Sequence, residues 1–158
     1  SEFYEGKAWV NKGNLYGYID TLGRSVTDFV YADVDRFVDG FAAVSRDTQD
    51  GDYGFVNHVG QEICTLKYSR VKSFENGFAA VQSDSNWTLI DTSGSEMMIP
   101  VFDYPPKVVS ERFVIVVKAS KWGVIDSENS EQYPFIYDLI TADGLAYLAN
   151  KKVYLGLL

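Results

Sequence analysis

The sequence predicts an all-β repeat protein of about four 35-residue units followed by a terminal half-repeat. The main observation is a motif of an aromatic residue, a small residue, two apolar residues and Asp or Asn. Its four copies are LYGYID (15–20), DYGFVN (52–57), NWTLID (86–91) and KWGVID (121–126). The composition agrees, because aromatic residues make up 15% of the 158 residues and Tyr and Phe favour strands.

The first strand of each unit is predicted from a second motif, which precedes every copy of the first and occurs once more near the end. It reads GKAWV (6–10), GFAAV (40–44), GFAAV (77–81), RFVIV (112–116) and GLAYL (144–148). Both motifs alternate with period two, as strands do. The best helix candidate, 137–150, contains GLAYL in register with the other copies, so we expect strands there too.

One face of the predicted hairpin carries residues of nearly constant, mostly small size. They are Ala8, Ala42, Ala79, Val114 and Ala146 with Val10, Val44, Val81, Val116 and Leu148 on the first strand, and Gly17, Gly54, Thr88 and Gly123 with Ile19, Val56, Ile90 and Ile125 on the second. Constant size indicates constant close approach, so we expect this face to be the interior shared by neighbouring units. Thr88 can replace glycine there only if its φ is negative.

A turn is predicted after each second strand, from the tetrapeptides DTLG (20–23), NHVG (57–60), DTSG (91–94) and DSEN (126–129). The Asp or Asn side chain caps its own backbone, and Gly or Asn supplies a positive φ. The third strand of each unit is expected to be an edge or irregular segment. The four prolines fall in or beside it: Pro100, Pro105, Pro106 and Pro134.

These units account for essentially the whole chain, which we interpret as a single domain, 1–158. The predicted repeats are approximately 3–36, 37–73, 74–109 and 110–142, with a half-repeat at 143–158. Such units are short for propeller blades, whose repeats run about 40–50 residues. We therefore expect a β-solenoid-like stack, with a small closed barrel or propeller-like ring as the alternative.

The KWGVID motif, with GFAAV upstream and an aromatic-Asp pair such as 102–103 or 137–138 downstream, resembles the WG (KWG) repeat of bacterial proteins. The resemblance covers roughly residues 3–158. Thr88 in place of glycine, and Tyr16 and Tyr53 in place of tryptophan, depart from the pattern without breaking its register. The resemblance implies no defined activity and no catalytic residues.

The net charge of −8 and the pI near 4.5 disfavour binding to nucleic acids and to anionic membrane surfaces, both of which attract basic proteins. The longest apolar run, 113–117, is too short to span a bilayer, so we expect no membrane insertion.

Residues suited to catalysis or metal binding are scarce. The single histidine, His58, lies in a predicted turn, and the single cysteine, Cys64, is expected to be a small core residue. One residue of each kind cannot build a zinc site, and the loop 47–52 lacks the ligand spacing of an EF-hand. The recurring acidic residues Asp20, Asp91 and Asp126 are expected to cap turns and not to act as catalytic carboxylates. We predict no enzymatic activity, no metal and no cofactor.

We therefore predict a non-catalytic interaction module that presents an acidic, aromatic-rich surface to a protein partner. The variable face of the hairpins supplies the candidate binding residues Trp9, Phe41, Phe78 and Phe113. The alternative is binding of polysaccharide or cell-surface glycan through exposed aromatic residues. We expect the aromatic position of the first motif to be core instead: Tyr16, Tyr53, Trp87 and Trp122.

Overall fold

The computed structural model describes residues 1–47, 49, 51–97, 102–110, 113–126, 131–141, 145–148 and 151–154, and these contain strands and turns but no helix. The strands are β1 (Lys7–Lys12), β2 (Leu15–Asp20), β3 (Asp33–Val34), β4 (Phe41–Ser45), β5 (Tyr53–Asn57), β6 (Arg70–Val71), β7 (Phe78–Ser83), β8 (Asn86–Asp91), β9 (Lys107–Val108), β10 (Phe113–Lys118), β11 (Lys121–Asp126), β12 (Glu131–Tyr137), β13 (Leu139–Ile140), β14 (Leu145–Leu148) and β15 (Lys151–Tyr154).

The strands form small antiparallel sheets, each built on one hairpin. Their strand orders are β1-β2, β3-β4-β5, β6-β7-β8, β9-β10-β11-β12 and β13-β14-β15. In the first four sheets the two predicted motifs form the hairpin, and in the last GLAYL contributes β14. The all-β repeat prediction is confirmed, including the strand at 145–148 where a helix was the alternative.

The face with the small residues, called the small face below, is buried as expected at most positions, whereas Val10, Ile19 and Thr88 are half-buried. In each hairpin the valine of the first strand lies opposite the motif's small residue, in the pairs Val10–Gly17, Val44–Gly54, Val81–Thr88 and Val116–Gly123. The glycines are needed for space, because an added Cβ would meet neighbouring atoms; at Gly17 it would lie 2.7 Å from the Asp28 carbonyl oxygen. Thr88 has no positive φ, as predicted.

The opposite face is also buried at its centre, which the sequence did not predict. The residues there are Tyr18, Phe55, Leu89 and Val124, each at most 1% exposed. Phe55 shares a core cluster with Ala79, Val81 and Ile90 of the next hairpin. The larger face of each of the first three hairpins thus packs on the small face of the next, so the second and third hairpins are covered on both sides.

The return segment of each unit links it to the next. It begins by pairing with its own second strand, through Tyr16–Tyr31, Tyr53–Tyr68 and Trp87–Phe102. It then becomes the edge strand of the next sheet, through Val34–Val44, Val71–Val81 and Val108–Val114. The prediction of a short edge strand is confirmed, and the structure adds that this strand belongs to the sheet of the following unit.

Consecutive units therefore share both a core cluster and a strand pair, which is the packing expected when each repeat contacts its neighbours in a line. The described segments form no closed barrel. The β-solenoid arrangement, and the unit boundaries assigned from the sequence, stay predictions.

Candidate functional site

The turns that follow the second strands are held by their Asp or Asn residue. Oδ1 of Asp20 accepts hydrogen bonds from the backbone N–H groups of Leu22 and Arg24, each 2.9 Å long. Asn57 and Asp91 make the equivalent pairs of bonds in their own turns. The predicted cap is confirmed in these three copies, whereas residues 127–130 of the fourth lie outside the described residues.

The hydrogen bonds in these turns also shift carboxyl pKa values. The backbone N–H of Arg24, together with its guanidinium group, lowers the pKa of Asp20. Partial burial acts to raise the pKa of Asp91, but hydrogen bonds from Ser93 and Ser95 outweigh it and the pKa lies below its usual value. A carboxyl held ionised as a cap is poorly suited to act as a general acid.

The turn glycines contact the preceding unit. Gly23, Gly60 and Gly94 have φ values of 77°, 85° and 79°. A Cβ on Gly60 would collide with the carbonyl oxygen of Val26, and one on Gly94 with that of Ile63. A Cβ on Gly23, by contrast, would meet nothing within 4 Å.

A buried tyrosine hydroxyl bonds to a glutamate of the next unit at two successive interfaces. Tyr31 donates to Glu62 at 2.8 Å, and Tyr68 donates to Glu96 at 2.9 Å. Burial, and then the hydrogen bond to the glutamate, raises the pKa of each tyrosine. Lys67, 2.8 Å from Glu96, and then Tyr68 lower the pKa of Glu96. These acids therefore serve the interfaces between units.

The two residues with the most reactive side chains lie in settings that do not activate them. His58 is exposed in its turn. Cys64 is half-buried and packs against a core cluster, as expected of a small core residue. Burial raises the pKa of its thiol, which is opposite to the lowered pKa of a nucleophilic cysteine.

The structure spreads the candidate binding residues over four interfaces. Trp9, Phe41, Phe78 and Phe113 are half-buried, and each packs against a different core cluster. Phe41, for example, stacks on Phe74 with ring centroids 4.2 Å apart. They are not brought together, and their role in binding stays a prediction.

The aromatic residues of the first motif lie mainly in the core. Trp87 is 5% exposed, while Tyr16, Tyr53 and Trp122 are half-buried. All four pack within or against core clusters. Their position fits the core expectation better than that of an exposed aromatic ladder.

An open groove of about 1250 Å³ crosses the return segments of three consecutive units. Its walls come from 33–35, 69–73 and 103–105, with Tyr53 and Trp87 between them. The volume exceeds the range of about 300–1,000 Å³ that is typical of small-molecule pockets. A groove of this size and openness suits a segment of a polymer.

The charged side chains in the groove differ in their hydrogen bonding and in their exposure. Asp33 Oδ2 accepts a hydrogen bond of 2.8 Å from the Tyr53 hydroxyl, which raises the pKa of that tyrosine. Arg70 and Lys72, by contrast, are exposed. Tyr104, 60% exposed, adds an accessible aromatic ring.

The groove was not predicted from the sequence, although the residue type at one of its positions varies between units. Aligning the units on Tyr31, Tyr68 and Phe102 places Asp33, Arg70 and Tyr104 at the same position. That position varies strongly in charge and size between units, and the structure places all three residues in one groove.

Within the described part of the chain, no group of three or more His, Cys, Asp and Glu side chains could hold a metal ion. The same residues contain no helix with the length and apolar character needed to cross a membrane.

A family model described as a WG containing repeat matches residues 1–16, 16–47 and 53–87. Comparison with curated proteins and with solved structures gave no match. The matched segments span just over half of the chain and include the strands β1 to β7, and β10 and β11 repeat the same hairpin beyond them. The chain therefore belongs to the family of proteins that contain the WG repeat.

Proposed function

We propose that this WG-repeat domain is a non-catalytic interaction module, and that its groove binds an extended segment of a protein partner. The groove is the observation that carries the proposal: it runs across three units, and Arg70, Lys72 and Tyr104 are exposed in it. Repeat proteins commonly bind partners along surfaces that several units build together.

The walls of the groove favour an extended chain over a globular ligand. β3 and β6 line it, and each is an edge strand with a partner on one side only. A chain that crosses these short edge strands in extended form can contact all three units. The exposed ring of Tyr104 offers an anchor of the kind enriched at the centre of protein interfaces.

Two pairs of variants test this function. Ser73→Trp fills the groove, while Ser85→Trp places the same side chain on an exposed loop outside it. Tyr104→Ala removes the exposed ring, and Leu22→Ala removes a side chain that is 74% exposed elsewhere. The immobilised domain is used to capture proteins from its source cells, and each captured protein is purified and titrated by calorimetry.

The proposal predicts that one captured protein binds the wild type and both control variants with equal affinity. Its affinity should fall at least tenfold for Ser73→Trp and Tyr104→Ala. Equal affinity for all variants would refute the groove as the site. Saturable binding to a polysaccharide, blocked by Ser73→Trp and without any protein ligand, would replace this proposal by glycan binding.

A further inference from the structure

The charge of the groove reverses between the first and the second unit at equivalent positions. Asp33 and Arg70 each lie two residues after the aromatic residue that opens the return segment. Asp35 and Lys72 each lie four residues after it. In the third unit the uncharged Tyr104 takes the position of Asp33 and Arg70, and the residue before it, Asp103, gives this part of the groove a negative charge. Along the groove the order is therefore acidic, basic, acidic.

The two central cations are available to a ligand. Within the described residues, Arg70 and Lys72 take part in none of the ion pairs, which involve Arg24, Arg46, Lys67 and Lys121. The spacing of two residues puts both side chains on one side of the extended segment. Two adjacent, unneutralised cations in a groove form a suitable position for carboxylate groups.

Asp35 and Asp103, the acidic residues on either side of the two cations, each accept one backbone hydrogen bond but remain accessible to a ligand. Asp35 is exposed and accepts one backbone hydrogen bond, from Arg36 at 2.7 Å. Asp103 is exposed, and its Oδ2 accepts one from the N–H of Ser120 at 3.4 Å. A carboxylate has room for further hydrogen bonds, so both can bind cationic groups.

We propose that the groove selects an extended polypeptide segment in which acidic residues are flanked on both sides by basic residues. This inference rests on the proposed function and specifies its ligand. The net charge of −8 attracts ligands that are basic overall, which brings the segment to the surface. The charge order in the groove then decides which basic segment fits, because like charges placed opposite each other oppose binding.

The packing of the sheets gives the spacing of the charges in the ligand. Packed sheets lie about 10 Å apart, and an extended chain rises about 3.3 Å per residue. Charges on neighbouring units therefore correspond to ligand residues about three positions apart. The octapeptide KKTEETKK has this spacing, with its two glutamates placed opposite Arg70 and Lys72.

The test compares this peptide with EETKKTKK, which has the same composition and net charge but a different order. Both are labelled with fluorescein and titrated with the whole domain at low salt, where electrostatic interactions are least screened. The proposal predicts at least tenfold weaker binding of the reordered peptide. It also predicts that Arg70→Glu combined with Lys72→Glu removes this preference, whereas Lys118→Glu, an exposed lysine outside the groove, retains it.

Equal affinity for the two peptides, or no binding of KKTEETKK up to millimolar concentration, would overturn the charge-order proposal. So would a preference that survives the change of Arg70 and Lys72 to glutamate. These outcomes leave the proposed function intact if a captured protein still depends on Ser73 and Tyr104. Circular dichroism establishes that the charge variants are folded.

Discussion

The turn glycines offer a direct test of how tightly successive units pack. Gly23, Gly60 and Gly94 have the same turn and φ values between 77° and 85°, so replacement by alanine costs the same conformational energy at each, about 1 kcal/mol. The three positions differ in their surroundings. At Gly60 and Gly94 the new Cβ would collide with a backbone carbonyl oxygen of the preceding unit, and at Gly23 it would meet nothing.

The collision should lower the free energy of unfolding by a further, measurable amount. A backbone carbonyl cannot rotate away as a side chain does, so the units must separate, and overpacking of this kind costs about 1–3 kcal/mol. We therefore expect Gly60→Ala and Gly94→Ala to lose about 2–4 kcal/mol in total, against about 1 kcal/mol for Gly23→Ala. An excess of about 2 kcal/mol lowers the melting temperature by roughly 4–8 °C in a protein of this size.

Urea unfolding, followed by tryptophan fluorescence and by circular dichroism, measures these differences. Both signals are needed, because a repeat protein can lose one interface before the others. An unchanged slope with a lower midpoint indicates that stability alone has changed. If all three variants lose the same free energy, the contact between turn and preceding unit does not contribute to stability, and the packing described above is wrong.

Three further predictions concern the core, one hairpin and the tyrosines. Ala79→Leu should overpack the interface shared with Phe55 and cost about 1–3 kcal/mol of unfolding free energy; wild-type stability in urea would mean that the faces are assigned backwards. Ser120→Gly should stabilise the protein by about 1 kcal/mol, because Ser120 has a φ of 61°; a lower melting temperature would contradict this. The raised pKa values of Tyr31 and Tyr68 favour the neutral phenols in the folded state, so their contribution to stability is complete below pH 10 and is lost as the pH rises further. Absorbance at alkaline pH should therefore show that Tyr31 and Tyr68 ionise only when the protein unfolds. Ionisation of every tyrosine near pH 10 in the folded protein would refute this prediction.

The repeated local elements could be predicted from the sequence. Residues such as Gly54 and Ala79 recur because the same close approach recurs in every unit, and the caps of Asp20 and Asn57 depend only on their own turns. Such constraints are the same in every unit, so a period and a residue size are sufficient to predict them.

The contacts between units could not be predicted in the same way. Variation at positions such as Phe41 indicates a candidate binding surface, but it does not indicate that Phe41 is half-buried and stacks on Phe74. The groove depends on how return segments from separate units are placed beside each other. Nothing in the alternation of Asp33 or Arg70 with its neighbours indicates that they line one surface.

The return segment that leaves one unit and completes the next sheet has a consequence for exchanging modules between proteins. A piece excised at 37–73 would lose β3, the edge of its own sheet, and carry β6 without its partner β7. A joint at Ala32 or Ser69 instead falls between the two halves of the return segment. It leaves the Tyr16–Tyr31 pair on one side and the intact β3-β4-β5 sheet on the other. Chimeras made at these joints exchange whole sheets, and duplication of the intervening stretch would lengthen the array by one complete sheet.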